Sequence, residues 1–83
     1  MINLNAGITA VKTLDVKGLA CPLPVVKLAG AIKQIEIGEI LEVLATDPGT
    51  LADFPAWAHQ TGNEVLEHSK DGNVLKFFVA RRV

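Results

Sequence analysis

The chemistry that this sequence could perform centres on its one cysteine, Cys21. Cys21 stands in the stretch Gly-Leu-Ala-Cys-Pro-Leu-Pro, residues 18–24, with prolines at positions 22 and 24. Proline suits the first position of a helix, because its fixed φ is helical and its missing N–H would have no partner there. The spacing therefore predicts that Cys21 caps a helix, where free N–H groups and the helix dipole favour a thiolate. The thiolate is the nucleophilic form of cysteine, so we expect a thiol pKa below that of free cysteine.

Packing is the alternative role for this cysteine. Free cysteine is among the most buried residue types and commonly behaves as a small hydrophobic side chain. In that interpretation Pro22 and Pro24 only end a strand and start a helix, and physical arguments alone weigh the two roles about equally. One cysteine cannot form an internal disulfide, and a lone thiol fits a reducing compartment, so we expect a cytoplasmic protein.

Other side chains of the sequence are weaker candidates. His59 and His68 could join Cys21 as zinc ligands, but they lack the close ligand pairs typical of zinc sites, so we expect no metal. Aspartates at strand ends and helix caps are more often structural than catalytic, so we assign no catalysis to them. These aspartates are Asp15, Asp47 and Asp53. Five further residues could line a partner surface but are interpreted as core or solvated positions: Lys27, Phe54, Trp57, Arg81 and Arg82.

A strand, a helix and a second strand must position Cys21. Residues 11–16 predict a short strand that Gly18 ends, and residues 25–32 place apolar side chains at the spacing of one helical face. Residues 40–45 form a nearly continuous apolar run, typical of an inner strand. A strand, helix, strand order implies a parallel pair with a right-handed crossover.

The second half of the chain predicts a helix and a hairpin. Thr50 and Asp53 resemble a capping pattern, so a helix should run from there to Gly62, with a first turn distorted by Pro55. The Asp-Gly pair at positions 71 and 72 favours a hairpin. The order is βαβαββ, an α/β (α+β) two-layer sandwich with a four-stranded mixed sheet and two helices on one face. Residues 1–11 are an arm or a short extra strand, and residues 12–83 are the domain.

Composition excludes several classes of function. The net charge is −1, so the positive field that drives nucleic-acid binding is missing. No apolar run approaches the roughly 20 residues needed to span a bilayer, and we expect no membrane association.

The stretch 18–24 resembles the Cys-Pro-x-Pro signature of the TusA/SirA family, small proteins that carry sulfur as a cysteine persulfide. The likeness extends to Leu14-Asp15, to Asp47-Pro48 and to the Asp-Phe-Pro of residues 53–55, and it covers residues 13–82. The family's fold is a βαβαββ sandwich, in agreement with the pattern above. The resemblance implies that Cys21 accepts and donates sulfur.

The resemblance also implies supporting residues and partners. Gly18 belongs to the motif, and Pro22 and Pro24 stiffen the helix start. We expect a monomeric covalent carrier of the sulfurtransferase type rather than a stand-alone turnover enzyme, without a cofactor. The donor would be a cysteine desulfurase or a rhodanese-like protein, and the acceptor a protein of tRNA thiolation, molybdenum-cofactor synthesis or sulfur oxidation. Ala20 stands where the best-known tRNA-thiolation member of the family has a basic residue, and the N-terminal arm is longer here. These two differences concern which partner the protein binds.

Two other classes of function remain open at this point. The first is a regulatory or adaptor domain, in which the motif only builds the fold. The second is a reductase or peroxidase that uses Cys21, which would need an external thiol in each turnover because a resolving cysteine is missing.

Overall fold

The computed structural model describes residues 8–83, which form β1 (Ala10–Val16), α1 (Leu23–Ala31), a short 3-10 helix (Ile32–Gln34), β2 (Ile40–Ala45), α2 (Thr50–Thr61), β3 (Glu64–Asp71) and β4 (Val74–Ala80). The strands form one sheet in the order β1-β2-β4-β3. β1 and β2 are parallel, while β4 is antiparallel to both β2 and β3. The predicted βαβαββ order, the mixed sheet and the two helices on one face are confirmed.

The core lies between the sheet and the two helices. Alternate residues of β2 and β4 face it, and all of these are buried: Leu41, Val43, Ala45, Leu75, Phe77 and Val79. From the helical layer, Leu28, Ile32 and Phe54 are each at most 3% exposed. Burying one large apolar side chain contributes roughly 1.5–3 kcal/mol, so this layer fixes the helices on the sheet.

β1 begins inside the segment that the sequence assigned to an N-terminal arm. Ala10 pairs with Ile40 of β2, and the register shifts once between Ala10 and Lys12. The predicted strand start at residue 11 is thus one residue late. Residues 1–7, the rest of the arm, lie outside the described residues.

The start of α2 differs from the predicted capping pattern. Gly49 is the N-cap residue, without a side-chain cap, and Thr50 is the first helical residue. The Thr50 hydroxyl donates a hydrogen bond to the Asp47 carbonyl oxygen at 2.7 Å, so it points back into the preceding turn instead of capping its own helix. The first turn is tightened, because the N–H groups of residues 50–52 each bond three residues back.

The end of α2 and the hairpin match the predictions. Gly62 has a left-handed φ of 83° and its N–H donates to the Ala58 carbonyl oxygen. Pro55 lies inside a continuous helix. Gly72, with a φ of 62°, joins β3 to β4. Neither helix of residues 8–83 is long and apolar enough to cross a membrane.

Candidate functional site

Cys21 lies in the loop between β1 and α1, at the carboxyl ends of the parallel strands β1 and β2. Sites in open α/β sheets commonly form at this edge. Gly18 turns the chain with a φ of 81°, and its N–H donates to Thr46 Oγ1 at 2.9 Å. Leu19 packs against the core. The loop that carries Cys21 is therefore held both by the core and by the neighbouring loop after β2.

Asp47 fixes the backbone of Cys21. Asp47 Oδ2 accepts a hydrogen bond from the Cys21 N–H at 3.0 Å, and Asp47 Oδ1 accepts one from the Gly49 N–H at 3.0 Å. One carboxylate thus joins the β1–α1 loop to the first turn of α2. The sequence analysis interpreted Asp47 as structural, and its partner across 26 residues of chain had no signal in the sequence.

Cys21 is not the helix cap that the sequence predicted. Pro22 is the N-cap residue, Leu23 is the first helical residue and Pro24, which is buried, is the second. The chain makes an extra turn before the helix, since the Leu23 N–H donates to the Ala20 carbonyl oxygen at 3.0 Å. Pro24 has no N–H to offer. The helix therefore presents few free donors to the thiol.

The electrostatic surroundings of the thiol also contradict the prediction. Desolvation by the surrounding protein raises the pKa of Cys21, and the charge of Asp53, the hydrogen-bonding capacity of Asp53 and the charge of Asp47 raise it further. The Cys21 side chain is exposed. The contribution of the two carboxylates to its raised pKa can be removed by substitution. The helix-dipole argument left out both the desolvation of the thiol and these two acidic neighbours.

The candidate zinc ligands do not come together. His59 lies in the last turn of α2, and His68 lies on β3 with its ring stacked on Phe77 at 5.9 Å between centroids. Within residues 8–83, no three histidine, cysteine or acidic side chains gather as a metal site. Asp15 instead interacts with Lys17. Its Oδ1 accepts a hydrogen bond from the Lys17 backbone N–H, and its Oδ2 lies 3.7 Å from Lys17 Nζ.

The two candidate arginines do not surround Cys21. Arg81 follows β4 at the opposite end of β2 from Asp47, and its Nη1 donates to the Ile35 carbonyl oxygen at 2.6 Å. Arg82 pairs with Glu64 at 3.0 Å. Lys27 is an exposed residue of α1.

The aromatic candidates occupy separate places. Phe54 is part of the core, with its ring edge against Phe77 at 4.7 Å between centroids. Trp57 is half-buried and lines a cavity of about 400 Å³ beside Arg81, at the end of the molecule away from Cys21. They do not form one patch.

Comparison with known proteins identifies the family. Residues 12–81 match the family model described as sulfurtransferase TusA. The chain belongs to the TusA family. The sulfur carrier protein TusA of Allochromatium vinosum is 41% identical over 68 residues, which are 82% of this chain and 90% of that protein. YrkI of Bacillus subtilis, named as a candidate sulfur carrier, is 46% identical over 70 residues, 84% of this chain and 93% of that protein.

A solved structure supports the same fold for this TusA-family chain. The SirA-like protein of Desulfitobacterium hafniense superposes with a TM-score of 0.75, covering 88% of this chain and 100% of that one at 24% identity. This likeness concerns the fold. Membership of the TusA family supports a sulfur-carrier role, which implies interaction with sulfur donor and acceptor proteins in general.

Proposed function

We propose that the protein carries sulfane sulfur as a persulfide on Cys21. The Cys21 sulfur attacks the outer sulfur of a donor persulfide, a new S–S bond forms, and the donor's S–S bond breaks. The donor is left as a thiol and the carrier becomes Cys21–S–SH. No net oxidation or reduction accompanies the transfer, so no cofactor is required.

The observation that carries this proposal is the exposure of a thiol whose backbone is fixed. Cys21 is exposed, while its N–H is bound to Asp47 and the neighbouring Leu19 packs on the core. Packing does not require such a position, so the exposure argues against the role of a buried filler. Thiol exchange requires it, because the attacking and attacked sulfur atoms must approach in line.

The partners proposed are a cysteine desulfurase or a rhodanese-like donor, and an acceptor protein. Next to the motif, α1 exposes the apolar side chains of Leu23, which is 46% exposed, and Val26, which is 58% exposed. A docking protein would cover such side chains. The destination of the sulfur would be tRNA thiolation, molybdenum-cofactor synthesis or sulfur oxidation.

A regulatory or adaptor domain is the alternative function. An adaptor would use its surface alone, and it would have no need of an exposed thiol. Replacing Cys21 would therefore abolish the carrier function and leave an adaptor function unchanged.

The proposal is tested by intact mass spectrometry after incubation with a cysteine desulfurase and cysteine, or with a rhodanese and thiosulfate. The native chain should gain one sulfur atom, and Cys21→Ser should gain none. Circular dichroism should show the same fold for both, because the Cys21 side chain is exposed. A native chain that gains no sulfur from either donor would favour the adaptor function.

A further inference from the structure

The cavity of about 400 Å³ lies at the end of the molecule away from Cys21. Its walls come from the end of α1, the 3-10 helix, the last turns of α2 and the chain after β4. Its volume is within the range of roughly 300–1,000 Å³ found for sites that bind small organic molecules. Sulfur transfer on Cys21 makes no use of this cavity, so its chemistry has to be considered separately.

Both helices supply apolar side chains to the cavity. Ala29 lines it from α1, Ile32 from the 3-10 helix and Trp57 from α2. Ile32 is buried, and Trp57 is half-buried and packs against the core. An aromatic or branched apolar group in the cavity would therefore contact apolar side chains of both helices.

The same cavity is lined by two cationic side chains, Lys33 and Arg81, and no acidic side chain is among the described residues that line it. Neither cation joins an ion pair in the described part of the chain. The other polar side chains of the cavity are already engaged. Asn63 Nδ2 donates to Thr61 Oγ1 at 3.1 Å, and Thr61 Oγ1 donates to the Trp57 carbonyl oxygen at 2.8 Å. Positive charge is therefore the polar feature that the cavity offers to a ligand.

Arg81 is held in place by hydrogen bonds of its backbone and of its side chain. Its N–H donates to the Glu39 carbonyl oxygen at 2.9 Å, and its carbonyl oxygen accepts the Gly38 N–H at 2.7 Å. Its Nε donates to the Val83 carbonyl oxygen at 2.8 Å, and its Nη1 donates to that of Ile35 at 2.6 Å. Nη2 makes no hydrogen bond to the described residues. A guanidinium fixed in this way loses little side-chain entropy when it binds an oxyanion.

We propose that this cavity binds a small organic carboxylate with an aromatic or branched apolar body. The apolar body packs on Trp57 and Ile32, and the carboxylate interacts with Arg81 and Lys33. The combination defines the class of ligand, because a neutral apolar molecule would leave both cations unpaired and inorganic phosphate would leave the apolar side chains without a contact. The site is separate from the proposed persulfide function, and neither depends on the other.

The test is a titration of the native chain with phenylacetate, followed by tryptophan fluorescence. Trp57 is the only tryptophan of the sequence, which contains no tyrosine, so the emission reports on the cavity. We expect a saturable change at millimolar concentrations. Phenylacetamide, the neutral analogue, should bind about tenfold more weakly, since it cannot form charge-assisted hydrogen bonds with the cations.

Lys33→Gln and Lys27→Gln are matched variants. Each removes one positive charge from an exposed lysine, but only Lys33 lines the cavity. Lys33→Gln should weaken the binding of phenylacetate about two- to fivefold, the effect of one exposed ion pair, while Lys27→Gln should leave it unchanged. Ala29→Leu should fill the cavity without changing any charge, and saturable binding should be lost. Circular dichroism should show the native fold in all three variants, because leucine and glutamine are good helix formers.

Four results would overturn the proposed site. A native chain without a saturable change would show that the cavity takes no such ligand. Equal binding of phenylacetate and phenylacetamide would show that the cations take no part. Equal effects of the two lysine variants would indicate only the general charge of the molecule, and native binding by Ala29→Leu would place the ligand elsewhere. Cys21→Ser should bind phenylacetate as the native chain does, so a failure of sulfur loading would leave this site standing, and the reverse holds as well.

Discussion

Cys21 shows how a reactive side chain depends on neighbours that are distant in sequence. Desolvation by the surrounding protein, together with the carboxylates of Asp53 and Asp47, raises the pKa of Cys21 above its ordinary value. A carrier gains from this arrangement, since a protonated thiol resists unproductive oxidation between transfers.

The raised pKa of Cys21 has a consequence for stability. The folded protein binds the thiol proton more tightly than the unfolded chain does, so this group stabilises the fold fully below the unfolded pKa, about 8.5. The contribution is lost as the pH rises through the higher pKa of the folded state. The free energy of unfolding of the native chain, relative to Cys21→Ser, should therefore fall between neutral and strongly alkaline pH.

Urea denaturation of the native chain and of Cys21→Ser, at a series of pH values, measures this difference. The midpoint of alkylation should also lie at higher pH in the native chain than in urea. A midpoint at or below that of the unfolded chain would contradict the electrostatic description of the site.

The sequence pointed to Cys21 as the candidate reactive residue but not to its surroundings. Cys21 was evident because cysteine and two prolines stand together in one short stretch. The contact of Asp47 with the Cys21 N–H depends on the pairing of β1 with β2, which brings two distant loops together. Side-chain pairs of this kind have no local pattern, so only the folded chain reveals them.

At the scale of the elements, two prolines occupy helices in opposite circumstances. Pro24 is the second residue of α1, where no backbone hydrogen bond is lost, and its ring is fully buried. Pro55 is exposed and lies inside α2, where its ring removes the hydrogen bond to the Leu51 carbonyl oxygen. One proline stabilises its helix while the other weakens it.

Alanine substitutions should therefore change stability in opposite directions. Pro24→Ala should lower the free energy of unfolding by about 1–2 kcal/mol, through lost burial and a more flexible unfolded chain. Pro55→Ala should raise it by about 1–2 kcal/mol, because the helix regains a hydrogen bond. Chemical denaturation of both variants gives the two signs. If both variants shifted the same way, the helix positions assigned to the prolines would be in error.

Element order was predictable from the sequence, while the helix starts were not. The helical spacing of residues 25–32, the apolar run of β2 and the Asp-Gly hairpin each carry a local signal that survives in the fold. The start of α1 was misplaced by one residue, because Pro22 suits the first helical position but is the N-cap residue instead. The start of α2 was misread because the Thr50 hydroxyl bonds backwards to Asp47.

At the scale of the whole molecule, stability depends on a small core. Phe54 and Phe77 form its largest fully buried pair. An 83-residue domain has a total stability of roughly 4–12 kcal/mol. Removal of one aromatic ring costs about 3–5 kcal/mol, a large share of that total.

Phe54→Leu should keep the fold but lower the free energy of unfolding by about 1–2 kcal/mol, since it loses the edge contact with Phe77 and leaves a small cavity. Each kcal/mol shifts the melting temperature of a domain of this size by about 4–8 °C. Leu51→Ala on the same helix is the matched control, and its effect should stay within about 1 kcal/mol because Leu51 is 44% exposed. Equal shifts for the two variants would contradict the central place of Phe54 in the core.

The strand order β1-β2-β4-β3 bears on how the protein is made on the ribosome. β4 is synthesised after β1, β2 and β3, yet it lies between β2 and β3 and supplies Leu75, Phe77 and Val79 to the core. In a nascent chain that has reached only the hairpin turn, the edges of β2 and β3 that later pair with β4 are unpaired and the apolar layer is open, features that promote aggregation. The sheet is therefore completed only after β4 has been synthesised, and a chain held before Val74 leaves its apolar layer open to other proteins.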